Sequence, residues 1–315
     1  AGAKSGPLGI AVTPQNDFAF VANANANDGN IYEFSIPQSG TTPGELMSVG
    51  SIHSGTTPQI VAIDSTGTFV YVTNAGSRTV SEYAINSQTQ NVLKSIGTIG
   101  GFSGTPFGIV AHPSASFVYV ADSTIGVIAA YSIGGSGALT FLGSVGSLGT
   151  GQGHPGLMTI AVDSSQSYLL VDDTVQGVVS VFLIQSNGTL TFSNFFGTGQ
   201  SKPMGIASVN SGGGTSNNYV LTANNTGNFV QPYIRVGATL TQQPNAVAVP
   251  SNPTGLVIDP AGLFAYTANS GNGSISLIGI NSSECNGKAF CNIQNFASET
   301  PANGSAGTQY VATTH

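Results

Sequence analysis

Apolar positions along this chain fall in short runs rich in Val, Tyr, Phe and Ile, and clusters of Gly, Asn, Ser and Pro separate them. Phe69-Val70-Tyr71-Val72 and Phe117-Val118-Tyr119-Val120 are two such runs. Their length and their aromatic and β-branched content predict strands packed on both faces, and no window sustains the spacing of an amphipathic helix. The polar clusters supply the turns.

The runs recur in a fixed order. A proline precedes a short apolar strand at Pro7, Pro58, Pro106, Pro155, Pro203 and Pro253, with a degenerate seventh start at Pro301, and successive starts lie 48 to 51 residues apart. Four strands are predicted in each copy: the one after the proline, the aromatic/Val strand, a third such as 79–85 or 127–133, and a fourth such as 138–144. Four-stranded sheets repeated about an axis make a β-propeller. Residues 1–315 therefore read as one all-β domain of four-stranded antiparallel blades.

Six full repeats end near Ser298 and leave seventeen residues for a seventh. Seven blades with an incomplete terminal blade is the favoured reading, and six blades plus a tail is the alternative. An incomplete blade leaves a sheet edge with unpaired backbone groups, which recruits another strand. Self-association is expected on that ground.

Tyr71-Val72-Thr73-Asn74, with the preceding Pro58 and the Asp64-Ser65-Thr66-Gly67 turn, resembles the YVTN repeat of lactonase-like seven-bladed propellers. Similar blocks recur along nearly the whole chain. The resemblance implies the propeller fold, and it implies a lactonase-like hydrolase as one function among the several that such propellers carry.

Composition narrows the partners. Charged residues make up only 6% of the chain, where about 25% is usual, so Ser, Thr, Asn and Gln solvate the surface. A net charge of -7 with six Lys plus Arg leaves no basic stripe for nucleic acid or an anionic membrane. Nor does any run approach the roughly 20 apolar residues of a membrane helix. Ala1 in place of Met reads as the start of a mature product or of a trimmed chain, and an extracellular or cell-surface location is expected.

Cys285 and Cys291 stand six positions apart, a spacing that suits a small disulfide loop, with two free thiols as the alternative. Such a loop pins a local turn rather than the fold. Two close thiols without further Cys or His do not make the usual zinc pattern. Glycosylation acceptors of the Asn-x-Ser/Thr type occur at Asn187, Asn224, Asn272, Asn281 and Asn303.

On the face carrying the loops into each first strand, the second strand ends in Asn23, Asn74, Asp122, Asp172, Asn224 and Asn269. His53, Arg78, His154 and Asp173 share this rim, so the ligand-binding candidates are His53, Asn74, Arg78, Asp122, His154, Asp172 and Asp173. The plainer reading is that each Asn or Asp caps its own turn. A hydrolase would place His154, Asp172 and Asp122 together, whereas Asp122, Asp172 and Asp173 fall short of the spacing of a calcium loop, which needs about six to eight oxygen ligands. No metal and no cofactor is expected, and the few Arg and Lys disfavour a phosphosugar substrate. Depleted charge and incomplete closure lead to the expectation of a non-catalytic structural or binding module that self-assembles. The hydrolase is the alternative, and recognition of a glycan, a peptide or another cell-surface component is a third possibility.

Overall fold

The computed structural model describes residues 6–25, 28–40, 43–86, 92–149, 153, 155–199, 202–210, 218–280, 285 and 289–297. The first sheet comprises β1 (Pro7–Val12), β2 (Phe18–Asn23), β3 (Asn30–Ser35) and β4 (Met47–His53). The second comprises β5 (Pro58–Ile63), β6 (Phe69–Asn74), β7 (Thr79–Ile85) and β8 (Leu93–Ile99), and the third β9 (Pro106–Ala111), β10 (Phe117–Asp122), β11 (Val127–Ile133) and β12 (Leu139–Gly146). In the fourth are β13 (Leu157–Val162), β14 (Tyr168–Asp173), β15 (Val178–Ile184) and β16 (Leu190–Gly197). The fifth holds β17 (Pro203–Asn210), β18 (Asn218–Asn224), β19 (Phe229–Val236) and an outer strand broken into β20 (Thr239–Gln242) and β21 (Val247–Ala248). The sixth holds β22 (Pro253–Ile258), β23 (Phe264–Asn269), β24 (Ser274–Ile280) and β25 (Phe290–Ala297).

Every sheet is an antiparallel meander, so each is a propeller blade. The inner strands β1, β5, β9, β13, β17 and β22 pack side by side in that order. The described residues thus form six blades, and the seventh repeat start at Pro301 lies outside them. Among the described residues no helix is long and apolar enough to cross a membrane.

The second strand of each blade is buried on both faces because its side chains alternate between two neighbouring blades. Val70 and Val72 pack with Phe20 and Ile31 of the first blade. Tyr71, one residue out of phase, packs with Ile109 and Val118 of the third. Five such cores join the six blades in series.

Polar side chains at the turns meet needs that the apolar pattern cannot. Between β5 and β6, Asp64 accepts the backbone N–H groups of Thr66, Thr68 and Phe69, and Asp163 and Asp259 cap the same turn in the fourth and sixth blades. In the third blade His112 Nδ1 accepts from Ser114 and Ala115 instead. Cys285 and Cys291 form a disulfide, with their Cα atoms 5.3 Å apart.

Candidate functional site

The rim residues are occupied in building loops. Asn74 is fully buried; its Oδ1 accepts from Ser54 Oγ at 2.8 Å, and its amide nitrogen donates to Thr79 Oγ1 and Ser81 Oγ. Asp122 accepts four backbone N–H groups, from Gly104, Thr105, Thr124 and Ile125. Asp173 accepts from Val175 and Gln176 at 3.0 and 2.9 Å. These carboxyl groups cap turns, as the plainer reading holds. Arg78 is exposed at a left-handed turn position with φ 56°, and His53 is exposed at the end of β4. His154 and the sequons at Asn281 and Asn303 lie outside the described residues. Asn187 and Asn272 are exposed, whereas Asn224 is fully buried with its amide nitrogen on the Thr222 carbonyl and hydroxyl, which corrects its candidacy as a glycan acceptor.

The register also corrects one assignment. β14 ends at Asp173, so Asp173 is the counterpart of Asn74 and Asp122, and Asp172 sits one residue earlier, where Ala22, Thr73, Ala121, Ala223 and Ala268 stand in the other blades. Its side chain therefore points elsewhere. Asp172 is fully buried, and it accepts the backbone N–H of Thr159 on Oδ1 at 2.7 Å and the Thr159 hydroxyl on Oδ2 at 2.5 Å.

Thr159 is in turn a departure from the repeat. Near the start of each inner strand the pairing with the second strand slips, between Pro7 and Ile10 or Leu157 and Ile160 for example. A residue at such a bulge loses its ladder partner, and its side chain is re-aimed. The corresponding positions are Gly9, Ile60, Gly108, Thr159, Gly205 and Gly255. Glycine dominates because the inner strands nearly touch: a Cβ on Gly9 would lie 2.4 Å from the Gln59 carbonyl oxygen, and one on Gly205 would lie 2.7 Å from that of Thr254. Thr159 brings a hydroxyl to this crowded axis.

An axial cavity of about 130 Å³ lies among these residues. Its walls are glycine backbone together with Ile10, Ile60, Ile109, Ile160, Ile206 and Leu256, and among the described residues Thr159 is the one lining residue with a polar side chain. A hydroxyl that donates its proton to a buried carboxyl group keeps its lone pairs for accepting a proton from water.

Sequence reasoning named Asp172 but missed Thr159. The available signal was internal: Thr replaces Gly, and Asp replaces Ala, in the same blade. Among the described residues no group of three or more His, Cys, Asp or Glu is arranged to hold a metal ion. A second cleft, of about 490 Å³ between the second and third blades, is lined by Phe102, Val120, Tyr131 and Phe141. Burial pushes the Tyr131 hydroxyl up to about 12, so this cleft offers ring surface rather than a proton acceptor at neutral pH.

Residues 2–99 match the family described as "Lactonase, 7-bladed beta-propeller", in agreement with the YVTN resemblance. No curated protein matches the chain. Among solved structures, a putative 6-phosphogluconolactonase from Bacteroides fragilis superposes with a TM-score of 0.75 at 14% identity, over 94% of this chain and 85% of that one. The periplasmic gluconolactonase of Pseudomonas aeruginosa gives 0.73 at 15% identity, over 96% and 87%. Hydrazine synthase from Kuenenia stuttgartiensis gives 0.71 at 17%, over 99% and 91%. At these identities the shared property is the fold. The expectation of a non-catalytic, self-assembling module is nevertheless overturned: the family match over residues 2–99 favours its alternative, a lactonase-like hydrolase.

Proposed function

We propose, on the premise of this lactonase-like repeat, that the protein hydrolyses a lactone in its axial cavity, with Thr159 facing the substrate and Asp172 holding its proton. The second blade departs at the same two positions with Ile60 and Thr73, but in the fourth the departures join a hydroxyl to a buried carboxyl group, 2.5 Å apart, and that pair beside the cavity carries the reading. Departures from an otherwise self-consistent pattern concentrate where function is built.

The chemistry needs no cofactor. A water that donates to Thr159 Oγ1 attacks the lactone carbonyl carbon. Its proton passes to Thr159 as the Thr159 proton passes to Asp172, and the ring C–O bond breaks. The proton then returns to the departing ring oxygen, so lactone plus water gives a hydroxy acid and the pair is restored. General-base assistance of this kind contributes about 10²–10⁴-fold. Titrating acid release from a panel of lactones tests the proposal. Asp172→Asn lowers kcat by about that factor with little change in KM, whereas absence of turnover across the panel removes the proposal.

The ring is further inferred to hold seven blade positions. Five apolar cores join six blades, and among the described residues none joins the sixth to the first. Counting blades in averaged electron micrographs tests this, and a closed ring of six would contradict it.

A further inference from the structure

From the cavity walls we infer the substrate class: a small, uncharged lactone with a hydrocarbon ring or short alkyl substituent, rather than a sugar or phosphosugar lactone. The inference rests on the proposed hydrolysis at Thr159.

Size comes first. Pockets for drug-sized ligands run to about 300–1,000 Å³, and the axial cavity measures about 130 Å³. It suits a single small ring. Polarity comes next. A sugar lactone carries a hydroxyl on nearly every ring carbon, and each would lose its water on entry. The isoleucine and leucine side chains offer no partner in exchange, which leaves only glycine backbone and Thr159 to bond several ring hydroxyls at once, and each left unpaired costs about 1–3 kcal/mol. Methylene groups gain from the same walls.

Charge excludes the phosphorylated class more firmly. Four of the six cationic residues, Arg78, Lys94, Lys202 and Arg235, are described, and none lines the cavity. Arg78, Lys94 and Lys202 are exposed, and Arg235 is engaged with Asp163. The charge-bearing group nearest the cavity hydroxyl is the Asp172 carboxyl, which repels a phosphate. Phosphate recognition requires the reverse, a fork of Arg or Lys donors.

The test compares kcat/KM of the intact protein for δ-valerolactone, glucono-δ-lactone and the 6-phosphate of the latter, with uncatalysed hydrolysis subtracted. The expected result is a preference for δ-valerolactone of about 10- to 100-fold over either sugar lactone. Parity, or a preference for a sugar lactone, overturns the substrate class while leaving lactone hydrolysis standing. Failure to turn over any of the three, or any lactone of the wider panel, overturns hydrolysis itself and this inference with it.

Discussion

Arg235, on the third strand of the fifth blade, lies with Nη2 2.5 Å from Oδ2 of Asp163 in the first turn of the fourth, and both side chains are almost fully buried. The guanidinium also donates to the Gly237 carbonyl and Ser165 Oγ, and it sits 4.8 Å from the centre of the Tyr168 ring. A chain with so few charges spends this pair on an inter-blade joint. Removing one partner leaves a buried charge alone, which costs about 3–5 kcal/mol. Arg235→Met is expected to lose stability of that order in urea unfolding, and Arg235→Lys to restore little of it, because an ammonium cannot reproduce the planar stack and fork.

Acid should strengthen the fold over part of the pH range. Glu33 and Glu82 each point into the next blade, where Glu33 accepts from Val92 N–H and Leu93 N–H, and Glu82 from Leu139 N–H. Burial raises both carboxyls above their ordinary value of 4.5, against the lowering effect of those bonds. A carboxyl raised in the folded state binds its proton more tightly there than in the unfolded chain. The stability it contributes is full below the unfolded value and is lost as pH rises through the folded one. The melting temperature is expected to rise on acidification from about pH 7 to about pH 5, and the paired change Glu33→Gln, Glu82→Gln should flatten that slope. A steep fall over the same interval would contradict the assignment.

The crowded axis is sensitive to a single methyl group. Gly9→Ala drives a Cβ into the Gln59 carbonyl oxygen and the Ile60 Cα, both backbone atoms that cannot rotate away. A loss of about 1–3 kcal/mol is expected, read as a lower urea midpoint at unchanged slope.

Reducing the Cys285–Cys291 bridge has a bounded effect. Six positions separate the two residues, so the closed loop is short and its chain-entropy contribution is about 2 kcal/mol. Cys285→Ser combined with Cys291→Ser should lower stability by that amount while leaving the far-ultraviolet circular dichroism unchanged.

Strand and blade order were legible because apolar runs such as Val70-Tyr71-Val72 serve two neighbouring blades at once, and burial on both faces leaves little freedom of composition. Blade starts were legible from the proline that opens β1, β5, β9, β17 and β22. The break of the fifth outer strand into β20 and β21 was less so, because an exposed edge strand tolerates turn residues. Within the site, Asp172 was visible as a residue type but not as a direction. A shift of one residue along a strand turns a side chain to the opposite face, and the adjacent Asp173 concealed which of the two ends β14. Thr159 and the Arg235–Asp163 pair were hidden for a different reason. Their partners belong to other strands or blades, and pairing across that distance leaves no local periodicity.

The most direct test of the account is the rate of δ-valerolactone hydrolysis by the wild type beside Thr159→Val, which removes the hydroxyl and keeps the shape. The account predicts turnover that falls about 10²-fold or more in the variant, which stays folded by circular dichroism although its melting temperature drops with the bond lost to the buried Asp172 carboxyl. Equal rates in two equally folded proteins would contradict it.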